Sequence, residues 1–401
     1  MAASVLEGNK RPRPLPVTAN DGMLLPTELL SEVLLRFPAD ELCRLRLVCR
    51  SWRSLTYDPV FTNAHTARHP LVAGVHGPSG EIRFMDLSGN VLKQIRVSED
   101  CSCLHLSSQL DMVCISESRD GKEAHARVLN TATGAVTVLP GDVPAGHDNV
   151  DRVGACMFVL GHVPCTGELK VLRIHLRIGY DDIYASRGFL NLTCDIMTLV
   201  DNGDDDGGRW RVKPRPLYNV WSLNGDDAVV NEIAYFLIRE DHHFDGYSTR
   251  IQPGTIASFD LAAEEWRSAM IKGPPSIYLY DIYDDEKIRL AGLDGCLVTV
   301  LHNDRDCSVD LWFLVDLDSC IWTKRYSLQC SYGLGHLHFS TPYPLLVLDD
   351  GRVVVEDESA LKAYDTRTRT WEHLASVKDC LYVHKHEGSL LHSGSSKVGP
   401  A

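Results

Sequence analysis

No Cys-x-x-Cys pair occurs in the chain, although it holds 13 cysteines. An odd, scattered set of this kind reads as small buried hydrophobes of a reducing compartment, cytoplasm or nucleus. The opening stretch MAASVLEGNKRPRPLP lacks the apolar core of a secretory signal. No apolar run nears the roughly 18 residues that a membrane span needs. Positive charge is in deficit too, with 40 basic against 54 acidic side chains and a net charge of −14. That balance argues against a nucleic-acid backbone as the main ligand, and KRPRP at Lys10–Pro14 reads as a solvated tail before it reads as a nuclear signal.

Signatures of bond chemistry are also missing. There is no Gly-x-Ser-x-Gly, phosphate loop or dinucleotide fingerprint, so no cofactor and no catalytic residue is expected. Cys101, Cys103 and His105 alternate at strand period, as do His336/His338 and His384/His386, but none has a further ligand close by in sequence. Asp204-Asp205-Asp206 lacks the glutamate that a calcium loop places at its twelfth position. No metal is expected.

What is present divides into unlike parts. Composition is that of a globular protein, 44% hydrophobic and 23% charged over 401 residues. Residues 1–22, rich in proline and small polar side chains, are predicted to be a disordered leader. Residues 23–68 read as a helical module. Pro26 suits a first helical position, followed by Leu29, Leu30, Val33, Leu34 and Phe37 on one face. Pro38 ends that helix, and Asp40 is placed to cap a second carrying Leu42, Leu45, Val48, Cys49, Trp52 and Leu55. Asp58-Pro59 opens a short third one through Phe61. Three helices of this length are too small to bury their own stripe. A large exposed apolar patch is thereby predicted, and such patches mark interaction sites. Arg44, Arg46, Arg50 and Arg53 fall on the other faces and are predicted to form a solvated rim.

From residue 69 to 392 the pattern is short β-rich runs broken by Gly, Asn, Asp and Ser, and 393–401 is a polar tail. The strand region repeats. IASFDLAAEEW, WFLVDLDSCIW and LKAYDTRTRTW each carry a strand ending in Asp and a Trp six positions later: Asp260/Trp266, Asp316/Trp322 and Asp365/Trp371. Weaker copies are Asp86/Leu92, Asn130/Val136 and Asp201/Trp210. A hairpin explains the pattern: the carboxylate or amide accepts turn N–H groups, and the aromatic opens the returning strand. Six such marks predict a six-bladed β-propeller, within a range of five to seven. Asp-Gly turns in LDGCLVTV and LDDGRVVVED are expected to close inner hairpins of the last two blades. The fold class is therefore a small all-α module followed by a mainly-β propeller.

The segment LLPTELLSEVLLRFPADELCRLRLVCRSWRSLTYDPVFTNAH resembles an F-box, through Leu25-Pro26, Glu28-Leu29-Leu30, Val33-Leu34-Leu35, Pro38, Leu42, Leu45, Val48-Cys49, Trp52 and Asp58-Pro59-x-Phe61. The remainder is similar to the F-box-associated, kelch-like propeller regions of plant F-box proteins, though it lacks the paired glycines of a strict kelch repeat. The resemblance implies a non-catalytic substrate receptor of an SCF-type ubiquitin ligase acting in the ubiquitin–proteasome pathway. Its partners would be a Skp-type adaptor, cullin and RING subunits reached through that adaptor, and an unidentified target protein, with no nucleic acid and no membrane. It also implies that Leu25, Pro26, Leu29, Leu30, Val33 and Leu34 pack on the adaptor. Leu42, Leu45, Val48 and Trp52 would divide between the module's own core and that interface. On the propeller, the loops REDHHFDG (His242, His243) and HNDRD (Asp304, Arg305) are the expected target contacts. A ligase-independent scaffold, or a propeller hydrolase or sugar binder, are the alternatives left open.

Overall fold

A computed structural model of the chain describes residues 25–97, 103–117, 125–141, 153–180, 188–199, 208–218, 220, 227–238, 251–279, 288–303, 306–330, 342–357 and 359–392. Four helices come first: α1 (Thr27–Leu34), α2 (Ala39–Leu45), α3 (Arg50–Tyr57) and α4 (Pro59–Arg68). The single second helix expected from the sequence is two. Cys49 adopts an extended backbone (φ −158°, ψ 166°) and its sulfur accepts the Trp52 N–H, so it caps α3 and ends the run begun at Ala39. Pro26 and Pro38 sit just before their helices and not inside them, and Asp40 lies in the first turn of α2 without capping it. Asp58 does cap α4, accepting the Val60 N–H at 2.8 Å, and that helix runs on to Arg68.

The described strands form six four-stranded antiparallel sheets, each a blade. The second blade holds β4 (Cys103–Gln109), β5 (Met112–Glu117), β6 (His125–Asn130) and β7 (Val136–Val138). The third holds β8 (Val153–Val163), β9 (Glu168–Tyr180), β10 (Gly188–Leu199) and β11 (Arg211–Lys213). The fourth holds β12 (Asp227–Val230), β13 (Ile233–Leu237), β14 (Ile256–Asp260) and β15 (Glu265–Trp266). The fifth holds β16 (Ile288–Leu293), β17 (Cys296–Asn303), β18 (Ser308–Asp316) and β19 (Ile321–Gln329). The sixth holds β20 (Tyr343–Val347), β21 (Val353–Asp357), β22 (Ala360–Asp365) and β23 (Thr370–Ser376).

The first blade is composite. The last described strand, β24 (Cys380–His386), pairs with β1 (Leu71–His76), which continues to β2 (Glu81–Asp86) and β3 (Val91–Arg96). Both ends of the strand region thus meet in one sheet, which closes the ring and leaves no open inner edge. Apolar clusters fill the spaces between neighbouring blades: Phe236 and Phe259 with Leu172 and Ile174, for example, and Phe313 with Val354 and Leu361.

The repeat seen in the sequence is the hairpin from each blade's third strand to its outermost one. Asp86, Asn130, Asp260, Asp316 and Asp365 close β2, β6, β14, β18 and β22, and each accepts the N–H two residues on. Four of them take the N–H three residues on as well. Asp201 lies outside the described residues. The aromatic slot does more than pack. Trp210, Trp322 and Trp371 donate their indole N–H to Pro140, Lys272 and Gln329 carbonyls at 2.7, 2.8 and 2.7 Å, each at the outer end of the preceding blade. They stitch blade to blade. Glu264 adds an ionic clamp between the third and fourth blades, with Lys170, Arg211 and Lys213 at 3.0, 2.5 and 2.7 Å. Burial alone would raise its carboxyl, but these partners hold it down at about 2.

The Asp294-Gly295 turn between β16 and β17 has positive φ at both residues (51° and 70°), as a two-residue hairpin turn of matching twist requires. Gly351 (φ 86°) serves the turn between β20 and β21. These are the two inner hairpins expected of the last blades.

Candidate functional site

Helix α1 presents one apolar face outward. Leu25, Leu29 and Val33 follow at intervals of four and are 55%, 54% and 43% exposed, and Pro26 is exposed beside them. The residues one position on, Leu30 and Leu34, point the other way and are buried. They meet Leu35, Leu42 and Phe61, with Leu45, Trp52 and Leu55 packed around the edge. The ten-residue stripe therefore splits. Leu25, Pro26, Leu29, Val33 and Val48 are open to contact, while Leu30, Leu34 and Leu42 are core, which departs from the expectation for Leu30 and Leu34. Leu45 and Trp52 lie half-buried between the two. The reason is helical geometry: positions i and i+1 lie about 100° apart and cannot share a face. Leu47, at 88% exposure, and Val60 are uncovered as well.

One residue of this small core comes from the far end of the chain. Leu391, in the 3-10 turn Leu390–His392 that follows β24, is fully buried in the helical cluster. Its neighbour Leu390 packs instead into the cluster between the first two blades. The Ser389 N–H donates to Asp111 Oδ1 at 2.8 Å, in the β4–β5 turn. Gly388 makes the passage possible, since a Cβ there would lie 2.4 Å from the Leu110 carbonyl oxygen and 2.6 Å from Asp111 Oδ1. Arg46 completes the joint. Its Nη1 donates to the Leu391 carbonyl, its Nε and Nη2 reach the Thr56 hydroxyl and carbonyl at 3.1 and 3.0 Å, and its guanidinium lies 4.0 Å from the Tyr57 ring centroid. Of the four arginines read as a solvated rim, Arg44, Arg50 and Arg53 are exposed and Arg46 is not.

His65 of α4 and His69 just after it brace the chain that leaves α1. The Nε2–H groups of His65 and His69 bond the Phe37 and Leu35 carbonyls at 3.0 and 2.9 Å, and the two rings stack at 4.6 Å. Burial lowers His65 to about 4, against the pull of its bond to Phe37 and with help from nearby His69 and Arg46. It is a neutral structural donor at ordinary pH. No feature of the local sequence announced Arg46, His65, His69 or Leu391. Their roles depend on what lies across the fold.

On the propeller, His242, His243, Asp304 and Arg305 lie outside the described residues. The strand ends that flank them can be placed. Leu71, directly after the helices, pairs with His386 at the end of β24, so β1 runs away from the helical module. Each blade's second strand does likewise, as the shared β12–β13 and β16–β17 turn contact (Asn231 Nδ2 to the Gly295 carbonyl, 3.3 Å) illustrates. The ends of β13 and β17 therefore face away from the helices. Among the described residues no group of three or more His, Cys, Asp or Glu is arranged to hold a metal ion.

Comparison with known proteins fits the helical module. Residues 23–65 match the F-box-like family model. F-box protein At3g07870 of Arabidopsis thaliana is 24% identical, over 89% of this chain and 87% of that protein. F-box/kelch-repeat protein At4g19930 of the same plant is 22% identical, over 75% and 68%. A solved structure of TolB from Acinetobacter baumannii aligns with 80% of this chain and 66% of its own at 12% identity, with a TM-score of 0.43. The chain thus carries an F-box-like domain joined to a six-bladed β-propeller. Its relatives are F-box proteins of Arabidopsis thaliana, and the kelch subtype of the propeller is not established by them.

Proposed function

We propose that this chain is the substrate-recognition subunit of an SCF-type ubiquitin ligase. In this reading the F-box-like domain docks on a Skp-type adaptor, and through it on cullin and RING subunits, while the propeller holds a target protein. The observation that carries it is the uncovered Leu25, Leu29 and Val33 face of α1, an apolar surface that the chain leaves to another protein. The subunit does no bond chemistry; it raises the local concentration of target lysines beside the charged conjugating enzyme. Target contacts belong to the end of the propeller away from the helices, where a bound protein stays clear of the adaptor. The setting is cytoplasm or nucleus.

The test is complex formation. Purified chain mixed with a Skp-type adaptor should co-elute in gel filtration. Leu29→Glu should weaken the complex at least about tenfold, since apolar anchors dominate such interfaces. Leu217→Glu, at an exposed leucine of the propeller, should leave it unchanged. Failure of the unmodified chain to bind any Skp-type adaptor would overturn the reading.

A further inference from the structure

Two cysteines meet through their backbones at the end of the fifth blade away from the helices. Strand β18 pairs with β19 in the register Ser308↔Gln329 and Val309↔Leu328. Cys307 directly precedes β18 with a left-handed backbone (φ 46°), Cys330 directly follows β19, and the Cys330 N–H donates to the Cys307 carbonyl at 2.8 Å. Hydrogen-bonded antiparallel partners hold their Cα atoms about 5.5 Å apart. That lies inside the roughly 4.4–6.8 Å that a disulfide spans. Both residues are half-buried and both stand as thiols. Just before Cys307, Asn303 Nδ2 donates to Asp306 Oδ2 at 2.8 Å and Asn303 Oδ1 accepts the Asp306 N–H at 3.3 Å.

We propose that Cys307 and Cys330 are a redox modification site, closing a reversible cross-strand disulfide in exchange with an oxidised low-molecular-weight thiol. The Cys307 thiolate attacks the small disulfide, forms a mixed disulfide and expels one thiolate. The Cys330 thiolate then attacks the Cys307 sulfur and expels the second. The two protons given up by the cysteines end on the two released small thiols, so two protein thiols are oxidised and one small disulfide is reduced. Burial first, then Asp357 and Cys307, push the Cys330 thiol up to about 11 against the pull of Lys362. Its thiolate fraction is therefore low at neutral pH, and closure speeds up as pH rises. The left-handed backbone at Cys307 takes its Cβ out of ladder alignment with Cys330, so closure demands a shift towards the geometry that a relaxed disulfide prefers. The bond is strained and hence easily reduced, as suits a switch. When closed, it ties the residue before β18 to the residue after β19. The assignment rests on the backbone bond that joins the two cysteines and is independent of the ligase reading.

The full chain, equilibrated in mixtures of glutathione and glutathione disulfide, alkylated and digested with trypsin without reduction, tests this by mass spectrometry. The cuts fall at Arg305, Lys324, Arg325 and Arg352, leaving Cys307 in peptide 306–324 and Cys330 in peptide 326–352. Under oxidising mixtures the two peptides should appear joined and lighter by two hydrogens, and glutathione in excess should separate them. Because 306–324 also contains Cys320, fragmentation of the unmodified protein's linked pair should place the bond at Cys307. The link should survive Cys320→Ser and vanish in Cys330→Ser. Glutathione adducts without the joined pair, or a link mapped to Cys320, would overturn the proposal.

Discussion

Leu391→Ala is the substitution that most directly questions how the helical module is held together. Leu391 is 0% exposed and packs among Leu30, Leu34, Leu42 and Phe61, although 330 residues separate it from the last of these. Shortening it to alanine removes three carbon atoms from that core, worth about 2.4 kcal/mol at roughly 0.8 kcal/mol per buried methylene. The hole left behind brings the expected loss to about 2–5 kcal/mol. Four short helices have little stability to spare, so the loss should appear as local opening, faster by between about 30-fold and a few thousand-fold. Hydrogen–deuterium exchange reads it peptide by peptide. Amides across residues 27–68 should lose protection, while those of β17, remote in the fifth blade, should keep theirs. Leu390→Ala should do the opposite locally, loosening the first two blades. If the Leu391 variant exchanged like the unmodified chain across 27–68, the last turn would merely touch the helices and the reasoning would fail.

Two other outcomes follow from the same geometry. Trp322→Phe keeps a ring but leaves the Lys272 carbonyl without its donor. Urea unfolding should show a loss of about 1–2 kcal/mol, against about 3–5 for Trp322→Ala; equal stability of the Phe variant and the unmodified chain would remove the stitch as a contributor. For pH, His65 is held at about 4 in the fold and titrates near 6.5 when unfolded. As pH falls from about 6.5 to 4 the unfolded chain takes up a proton that the folded one refuses, so stability drops by up to about 3 kcal/mol and levels off below that. Protection of residues 27–68 measured from pH 7 to 5 should decline less in His65→Gln; parallel curves would contradict the assignment. His386, also lowered to about 4 by burial, gives the propeller its own decline, which is why the comparison is between variants.

Much of this architecture is legible in residue order because a few side chains do visible local work. Asp260, Asp316 and Asp365 bond the turns they begin, and the Trp six positions later stands at a fixed place on the returning strand, so spacing reports blade geometry. The exposed face of α1 is legible as well, at least as an excess of leucine. Which leucine faces outward is a matter of one position, and a stripe drawn through Leu29, Leu30, Val33 and Leu34 blurs it. The break at Cys49 left no proline or glycine to mark it; an extended residue with a thiol acceptor was enough. Arg46 and Arg44 look alike in sequence, and only the carbonyl of Leu391, 345 positions away, separates an inward guanidinium from a solvated one. Closure of the ring by β24 is equally silent, because a strand that completes the first blade reads like any other.

The placement of Leu391 ties two properties that a modular reading keeps apart. Leu25, Leu29 and Val33 are offered outward only while Leu30 and Leu34, their neighbours on α1, have something to pack on. Part of that something arrives with the last described strand. β24 must pair with β1 before Ser389 can bond Asp111 and before Leu391 can enter the helical core. A chain whose ring is unclosed would therefore present α1 on an incomplete support, and its docking face would be the less ordered for it. The cost of ordering apolar side chains at an interface falls when their backs are already fixed, so the order in the helical face is bought by closure of the propeller. Physical linkage of this kind runs in both directions: a protein bound across Leu25, Leu29 and Val33 must in turn favour the closed ring.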